Sequence, residues 1–251
     1  SNDREKLLPV AVDGTLRVLN SSLKNNVEQI IVTSSIVAMF RKPNRSNPYT
    51  FGENDWTDEN WIEGVSDYFL SKTRAERTAW EFMESKGLKN KLTTINPGGV
   101  FGDALDKKGG TSIEYVRQFL KGKFPAAPKF AVLISDVKDV AKSHVACIGN
   151  KKVGGRRLIV GKEVKKLVEL SQIMAEAMPE YEKKVPKKEL PNFMVKLISY
   201  FDSSAKTMIP DLGITMQTDT TYSEELLGLK FKGAKDCISE NAKSVVKLGL
   251  V

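Results

Sequence analysis

Short runs of consecutive apolar and β-branched residues alternate along the chain with longer segments of helical periodicity. The runs QIIVTSS at 29–35 and KLTTINP at 91–97 show no polar alternation, which is typical of strands buried on both faces of a parallel sheet. Between them, DYFLSKTRAERTAWEFMESKG at 67–87 predicts a helix that ends at a glycine. Because parallel strands need crossover connections of this length, the alternation predicts an α/β fold with a parallel sheet.

The remaining segments extend this prediction along the chain. After residue 163 helical periodicity dominates and strand signals are few, which predicts a smaller, mostly helical lobe. Residues 41–64 are rich in Pro, Asn, Gly and acidic residues and predict a long loop. The further predicted elements are helices at 9–22, about 111–121, about 136–149, 167–178 and 192–201, and a strand at 156–161.

Composition and charge exclude several classes of protein. With 41% hydrophobic and 28% charged residues the chain has the composition of a folded globular protein, and no apolar run is long enough to span a membrane. Cys147, Cys237 and the lone His144 are spaced for neither a disulfide framework nor a metal site, so we expect packed thiols, no metal and a cytoplasmic protein. The net charge of +8 is scattered, and its densest group, KKVPKK at 183–188, lacks aromatic residues for base stacking. We therefore expect no nucleic-acid partner and no membrane partner.

A Tyr-x-x-x-Lys pair, Tyr68 and Lys72, lies near the start of the helix predicted at 67–87. The pair alone is weak evidence, because half-buried aromatic residues and surface lysines are common on helices. Its position adds weight, since it lies between a predicted strand ending at Ser35 and another ending at Pro97. Ligands bind beyond the carboxyl ends of parallel strands, so both strand ends are expected to face one crevice.

The order of motifs around this pair resembles the extended short-chain dehydrogenases of the NAD-dependent epimerase/dehydratase superfamily. The segments that carry the resemblance are TSS after the first strand, YFLSKTRAE, NPGGVFG and SDVKDVAKSH. VDGTLRVLNSS, ENDWTDENW, VPKKELPNFMVKLISYFD and SVVKLGLV extend it over nearly the whole chain, and they resemble most closely the aldehyde, dihydroflavonol and cinnamoyl-CoA reductases. The resemblance implies a Rossmann-like sheet and an NAD(P)H-dependent reduction of small-molecule carbonyl substrates.

The resemblance also implies three catalytic residues. Tyr68 would protonate the carbonyl oxygen, and Ser35 would hold that oxygen and stabilise its developing charge. Lys72, one helical turn from Tyr68, is expected to lower the pKa of the phenol, which is ordinarily about 10, and to bind the nicotinamide ribose. NADP(H) is the preferred cofactor in this group, with NAD(H) possible.

Cofactor and substrate contacts follow from the same resemblance. The implied cofactor contacts are Tyr68, Lys72, Pro97, Gly98, Gly99 and Val100, where glycines would permit close approach of the backbone to the ring. The implied substrate contacts are Ser35, Val37, Phe40 and Tyr68. Phe40 stands where plant flavonoid reductases place a polar residue, which favours small or apolar aldehydes and ketones over polyphenols.

One family motif is absent, because no Gly-x-x-Gly-x-x-Gly turn occurs in the 251 residues. We therefore expect an N-terminally truncated fragment that lacks the first, glycine-rich βαβ unit. Residues 1–105 would be the remainder of the NAD(P)-binding domain, and 106–251 an interleaved region. In that region 130–162 would return to the sheet, while 106–129 and 163–251 form the substrate lobe. Loss of the first strands would leave QIIVTSS as an apolar sheet edge, which predicts poor solubility and no activity for the fragment alone.

Three alternatives remain open from the sequence. A nucleotide-sugar epimerase shares the Ser, Tyr and Lys, whereas a dehydratase would carry an acidic pair where Ile36 and Val37 stand. A non-catalytic NAD(P)-binding sensor would keep the fold without needing Tyr68. A nucleic-acid binder is suggested by charge alone. The oligomeric state is expected to be a monomer or a homodimer.

Overall fold

The computed structural model describes the backbone of residues 3–107 and 110–251 and the side chains of residues 7–107, 110–202 and 205–251. Its helices are α1 (Asp3–Lys24), α2 (Asp67–Ser85), α3 (Thr111–Leu120), α4 (Val137–Cys147), α5 (Leu167–Ala177), α6 (Asn192–Ile198), α7 (Ser203–Met208), α8 (Thr221–Leu227) and α9 (Ala234–Lys247). Its strands are β1 (Ile30–Thr33), β2 (Tyr49–Phe51), β3 (Leu92–Pro97), β4 (Gly99–Phe101), β5 (Ala127–Pro128), β6 (Ala131–Asp136), β7 (Arg157–Val160), β8 (Glu163–Lys166), β9 (Glu189–Leu190) and β10 (Met216–Thr218). Within these ranges no helix is both long and apolar enough to cross a bilayer.

The central sheet is parallel, in the strand order β1-β3-β7, and confirms the predicted α/β fold. Ile30 pairs with Leu92 and Ile95 with Leu158, so the three strands end at the same edge of the sheet. The long helix α2 forms the crossover between β1 and β3, as the sequence predicts. Among the described residues, β1 pairs with β3 alone and is therefore an edge of this sheet.

Helices α1 and α2 pack together against one face of this sheet. Leu19 of α1 and Met83 of α2 are buried in a cluster with Leu92 of β3, and burial of each such side chain contributes about 1.5–3 kcal/mol. Helix α1 begins at Asp3, ahead of the predicted start at Pro9, although a proline inside a helix removes one backbone hydrogen bond. This packing holds the first turn of α2 at the carboxyl edge of the strands.

The strand predicted at residues 91–97 is β3, and a second strand that was not predicted, β4, follows it in a different sheet. β3 ends at Pro97, and β4 pairs in parallel with β6 in a second sheet of order β4-β6-β8. Gly98 lies at the switch, where its N–H donates to Ser135 Oγ at 2.8 Å. The β6 segment AVLISD was not predicted, because its four continuous apolar residues just before a helix cannot be told from helix by periodicity.

The sequence also underestimated the strands outside the central sheet. The predicted loop at 41–64 contains β2, which pairs in parallel with β10, and β5 pairs with β9. The expectation of few strands after residue 163 is wrong, since β8, β9 and β10 lie there. These strands have two to four residues and pair with distant parts of the chain, so no local sequence pattern predicts them.

Candidate active site

Ser35 lies just beyond the carboxyl end of β1, with extended backbone geometry (φ −161°, ψ 152°). Its hydroxyl oxygen accepts a hydrogen bond from Val37 N at 3.3 Å and caps the short 3-10 helix Ile36–Ala38. The preceding hydroxyls have structural partners: Thr33 Oγ1 lies 2.7 Å from His144 Nε2, and Ser34 Oγ donates to Glu76 at 2.5 Å. Ser35 is thus the residue of this strand end that lines the neighbouring cleft, while Thr33 and Ser34 make structural contacts.

Tyr68 lies in the first turn of α2, which begins with Ser66 accepting a hydrogen bond from Phe69 N. The side chain of Tyr68 is 54% exposed, and its partial burial raises the pKa of the phenol. Lys72 Nζ lies over the aromatic ring, 5.9 Å from its centroid. Burial therefore sets the direction of this shift, and an effect of Lys72 on the pKa of Tyr68 stays a prediction.

Ser35 and Tyr68 line one cleft of about 430 Å³ at the carboxyl edge of the central sheet. Four further predicted site residues also line it: Val37, Phe40, Gly98 and Gly99. The other predicted site residues, Lys72, Pro97 and Val100, are not among the lining residues. Lining residues that the sequence did not single out include Arg41, Phe69, Thr111, Ser112, Tyr115, Phe130, Met208 and Met216.

The glycines at the end of β3 are explained by protein packing. A Cβ at Gly98 would overlap the carbonyl oxygen of Leu133 in β6, and a Cβ at Gly99 would lie 2.9 Å from the Val132 side chain. The space that these glycines leave is thus filled by β6. Close approach of these glycines to a cofactor ring stays a prediction.

Phe40 forms part of the apolar wall of the cleft. Its ring centroid lies 5.5 Å from that of Phe51 and 5.7 Å from that of Phe69, the latter in an edge-to-face arrangement. The side chain is fully packed on the side away from the cleft, where β2 holds Phe51 in place. An aromatic residue so fixed presents a rigid apolar surface to a ligand.

A buried carboxylate connects α2, the helix that carries Tyr68, to the central sheet. Glu76, two helical turns after Tyr68, accepts hydrogen bonds at 2.6 Å from Arg157 Nε and at 2.7 Å from Asn96 Nδ2. The Asn96 amide also donates to the backbone carbonyl of Ser35 at 3.1 Å. The further donors to Glu76 are the Ser34 and Thr94 hydroxyls and the Trp80 indole.

Glu76 was missed at the sequence level. It continues the four-residue spacing of Tyr68 and Lys72 along α2, but an acidic residue on a helix usually faces solvent. Burial to 2% exposure follows from the approach of Arg157 from β7, which the sequence does not reveal.

Comparison with known proteins identifies the family. Residues 1–161 match the NAD dependent epimerase/dehydratase family. The NADPH-dependent methylglyoxal reductase of Saccharomyces cerevisiae is 31% identical over 265 residues, which cover 98% of this chain and 72% of the relative. Cinnamoyl-CoA reductase 2 of Arabidopsis thaliana is 27% identical over 250 residues, covering 99% of this chain and 69% of the relative.

A solved structure shows the same fold. The crystal structure of the yeast methylglyoxal/isovaleraldehyde reductase complexed with NADPH has a TM-score of 0.76 and 29% sequence identity to this chain, and the match covers 97% of this chain and 72% of that one. These similarities confirm the predicted resemblance to the extended short-chain dehydrogenases and support the prediction of an NAD(P)-dependent oxidoreductase. The chain therefore belongs to the NAD-dependent epimerase/dehydratase family.

Proposed function

We propose that this chain carries the reaction centre of an NADPH-dependent carbonyl reductase that acts on small aldehydes or ketones. The observation that carries the proposal is the meeting of Ser35 and Tyr68 in one cleft at the carboxyl edge of a parallel sheet. The relatives add support, because the similar yeast enzyme is an NADPH-dependent methylglyoxal reductase. NADP(H) is therefore the proposed cofactor, with NAD(H) as the alternative.

The residues present fit the nicotinamide end of such a cofactor. A phenol hydroxyl and an ammonium group, on Tyr68 and Lys72, are hydrogen-bond donors suited to ribose hydroxyls and a carbonyl oxygen. Pro97 is the last residue of β3 and Val100 lies in β4, and both would border the nicotinamide end of the site. When bound, NADPH would supply the hydride that reduces the carbonyl carbon.

Each residue of the site has a defined task in this proposal. The Ser35 hydroxyl donates a hydrogen bond to the substrate carbonyl oxygen and stabilises the negative charge that develops there. The Tyr68 hydroxyl donates a proton to the same oxygen, and its raised pKa keeps it protonated at neutral pH. Lys72 holds the cofactor ribose, while Val37 and Phe40 form the apolar wall that orients the substrate.

Replacement of Tyr68 tests this function. Tyr68→Phe keeps the ring but removes the proton donor, so we expect turnover to fall by about a hundred- to ten-thousand-fold while NADPH affinity changes little. The measurement is loss of NADPH absorbance with a panel of aldehydes and ketones, run beside UDP-sugars. Because the 251 residues contain no glycine-rich turn, the assay includes a version extended upstream by such a unit.

Tyr200→Phe is the control, because Tyr200 is 83% exposed and does not line the cleft. Turnover that survives Tyr68→Phe would contradict the proposed role and favour a cofactor-binding sensor. Turnover of UDP-sugars without carbonyl reduction would favour an epimerase.

A further inference from the structure

Two buried arginines share one carboxylate beside the cleft. Arg41 Nη2 donates hydrogen bonds to Asp211 Oδ2 and, at 3.0 Å, to the Thr207 carbonyl. Arg45 Nη1 lies 2.7 Å from Asp211 Oδ1, and its Nη2 donates to the Pro210 carbonyl at 2.5 Å. The three charged side chains are at most 2% exposed. Asp211 comes from the segment after α7, so the cluster joins the loop after β1 to the C-terminal part of the chain.

The charges in this cluster do not balance. Both guanidinium groups remain protonated in proteins, whereas the carboxylate that pairs with them in the described part of the chain is Asp211 alone. Burial, together with the neighbouring charge of Arg45, lowers the pKa of Arg41 despite the attraction of Asp211. Arg41 Nε and Nη1 are buried, and no described residue accepts a hydrogen bond from them. A buried guanidinium with unpaired N–H donors favours the binding of an anion.

One of the two arginines lies at the cleft. Arg41 lines the cleft together with Ser35 and Tyr68, whereas Arg45 does not. The Arg41 guanidinium lies 3.6 Å from the centroid of the Phe69 ring, and Phe69 is the neighbour of Tyr68 and also lines the cleft. Most other nearby lining residues are apolar, among them Val37, Phe40, Met208 and Met216. Arg41 is thus a cation at the wall of a largely apolar cleft.

We infer that the cleft takes carbonyl substrates that also carry an ionised carboxylate, and that Arg41 binds this carboxylate. The inference rests on the proposed reductase function, since it names the substrate class of the same cleft. One excess positive charge matches a monoanion, whereas a phosphate group carries a charge of about −1.5 to −2.

The first experiment compares acid and amide pairs. Butyrate, a monoanion, and butyramide are titrated into the chain by calorimetry, and succinic semialdehyde and its amide are compared as substrates of the NADPH-linked assay. Hydrogen bonds to charged groups exceed neutral ones in strength, so we expect the acid to be preferred by about tenfold or more in both measurements. This comparison needs no variant. Equal binding of acid and amide would overturn the inference.

Substitutions test whether Arg41 causes the preference for the acid. Arg41→Met should reduce the ratio of acid to amide binding to near one, and Arg41→Lys should keep part of the preference. Arg156→Met is the control, because Arg156 pairs with Glu53 and lies outside both the cleft and the cluster, and it should keep the full ratio. If Arg156→Met lowers the ratio as much as Arg41→Met does, the preference does not come from Arg41 and the inference is wrong.

The two proposals fail in different ways. An acid preference in calorimetry, without turnover of any carbonyl by the version extended upstream, would contradict the reductase function and leave the carboxylate site intact. Turnover with no preference for the acid would contradict the carboxylate site and leave the reductase function intact. Inorganic phosphate is included in the calorimetry, and binding of phosphate in place of butyrate would overturn the choice of a carboxylate.

Discussion

The Glu76 carboxylate joins α2 to the central sheet beside the proposed catalytic residues. It is an ion-pair partner of Arg157 from β7 and a hydrogen-bond acceptor for Asn96 from β3. Asn96 in turn fixes the backbone carbonyl of Ser35. The helix that carries Tyr68 and the strand end that carries Ser35 are therefore tied through one buried group. A charge so placed stabilises the arrangement only while its partners remain, because an unpaired buried charge is costly.

Glu76→Gln should destabilise the protein strongly. The substitution leaves the Arg157 guanidinium, 8% exposed, without its carboxylate, and we expect the free energy of unfolding to fall by about 3 kcal/mol. Urea denaturation followed by circular dichroism measures the change. Glu84→Gln is the matched control on the same helix, because its pair with Lys89 is exposed and should contribute less than about 1 kcal/mol. Equal effects of the two substitutions would contradict the role of the buried network.

At the scale of elements, the passage from β3 to β4 positions one wall of the cleft. The chain leaves the central sheet at Pro97 and joins β6 of the second sheet two residues later. This is possible because Gly98 lets the backbone of β6 approach, with Leu133 filling the space of a side chain. The glycine is therefore required by strand packing, whatever the cleft binds.

Two glycine substitutions should have opposite effects on stability. Gly98→Ala places a methyl group against the backbone of β6, so we expect a loss of about 1–3 kcal/mol or more in the free energy of unfolding. Gly14→Ala lies inside α1 with no atom within 4 Å of the added carbon, and should stabilise by about 0.4–1 kcal/mol. Thermal and urea unfolding of both variants measure the two changes in the free energy of unfolding. A neutral Gly98→Ala would show that β4 and β6 separate easily.

At the scale of the whole molecule, two exposed features bear on self-association. β1 forms an edge of the central sheet among the described residues, as the predicted apolar edge requires. A second apolar surface lies at and after α6, where Phe193, Leu197 and Phe201 are 70%, 60% and 90% exposed. Unpaired strand edges associate through backbone hydrogen bonds, whereas exposed apolar side chains associate through surface burial.

A lysine on the strand edge should reduce self-association. Thr33 is exposed at the end of β1, and Thr33→Lys places a charge beside the unpaired backbone groups. We expect sedimentation velocity to show less concentration-dependent association for this variant than for the parent chain. Phe201→Lys tests the other surface. If Phe201→Lys alone abolishes association, the α6 surface is responsible and the edge is not.

The sequence by itself determined the fold class, the family and the outline of the site. β1, α2 and β3 were predictable because buried parallel strands and a long capped helix have strong local patterns, and their order places Ser35 and Tyr68 at one sheet edge. The residues around them carry motifs of the family, which the comparison confirmed. The domain boundaries and the catalytic roles remain predictions.

Only the tertiary structure decided which side chains are buried together. Burial of Glu76 and Arg41 depends on Arg157 and Asp211, which are 81 and 170 positions away along the chain, and no local pattern encodes such pairs. The pKa of Tyr68 is raised by partial burial of the phenol, which sequence spacing cannot reveal. Local periodicity fixes helices and strands, whereas charge burial and cleft shape are set by contacts between segments far apart in sequence.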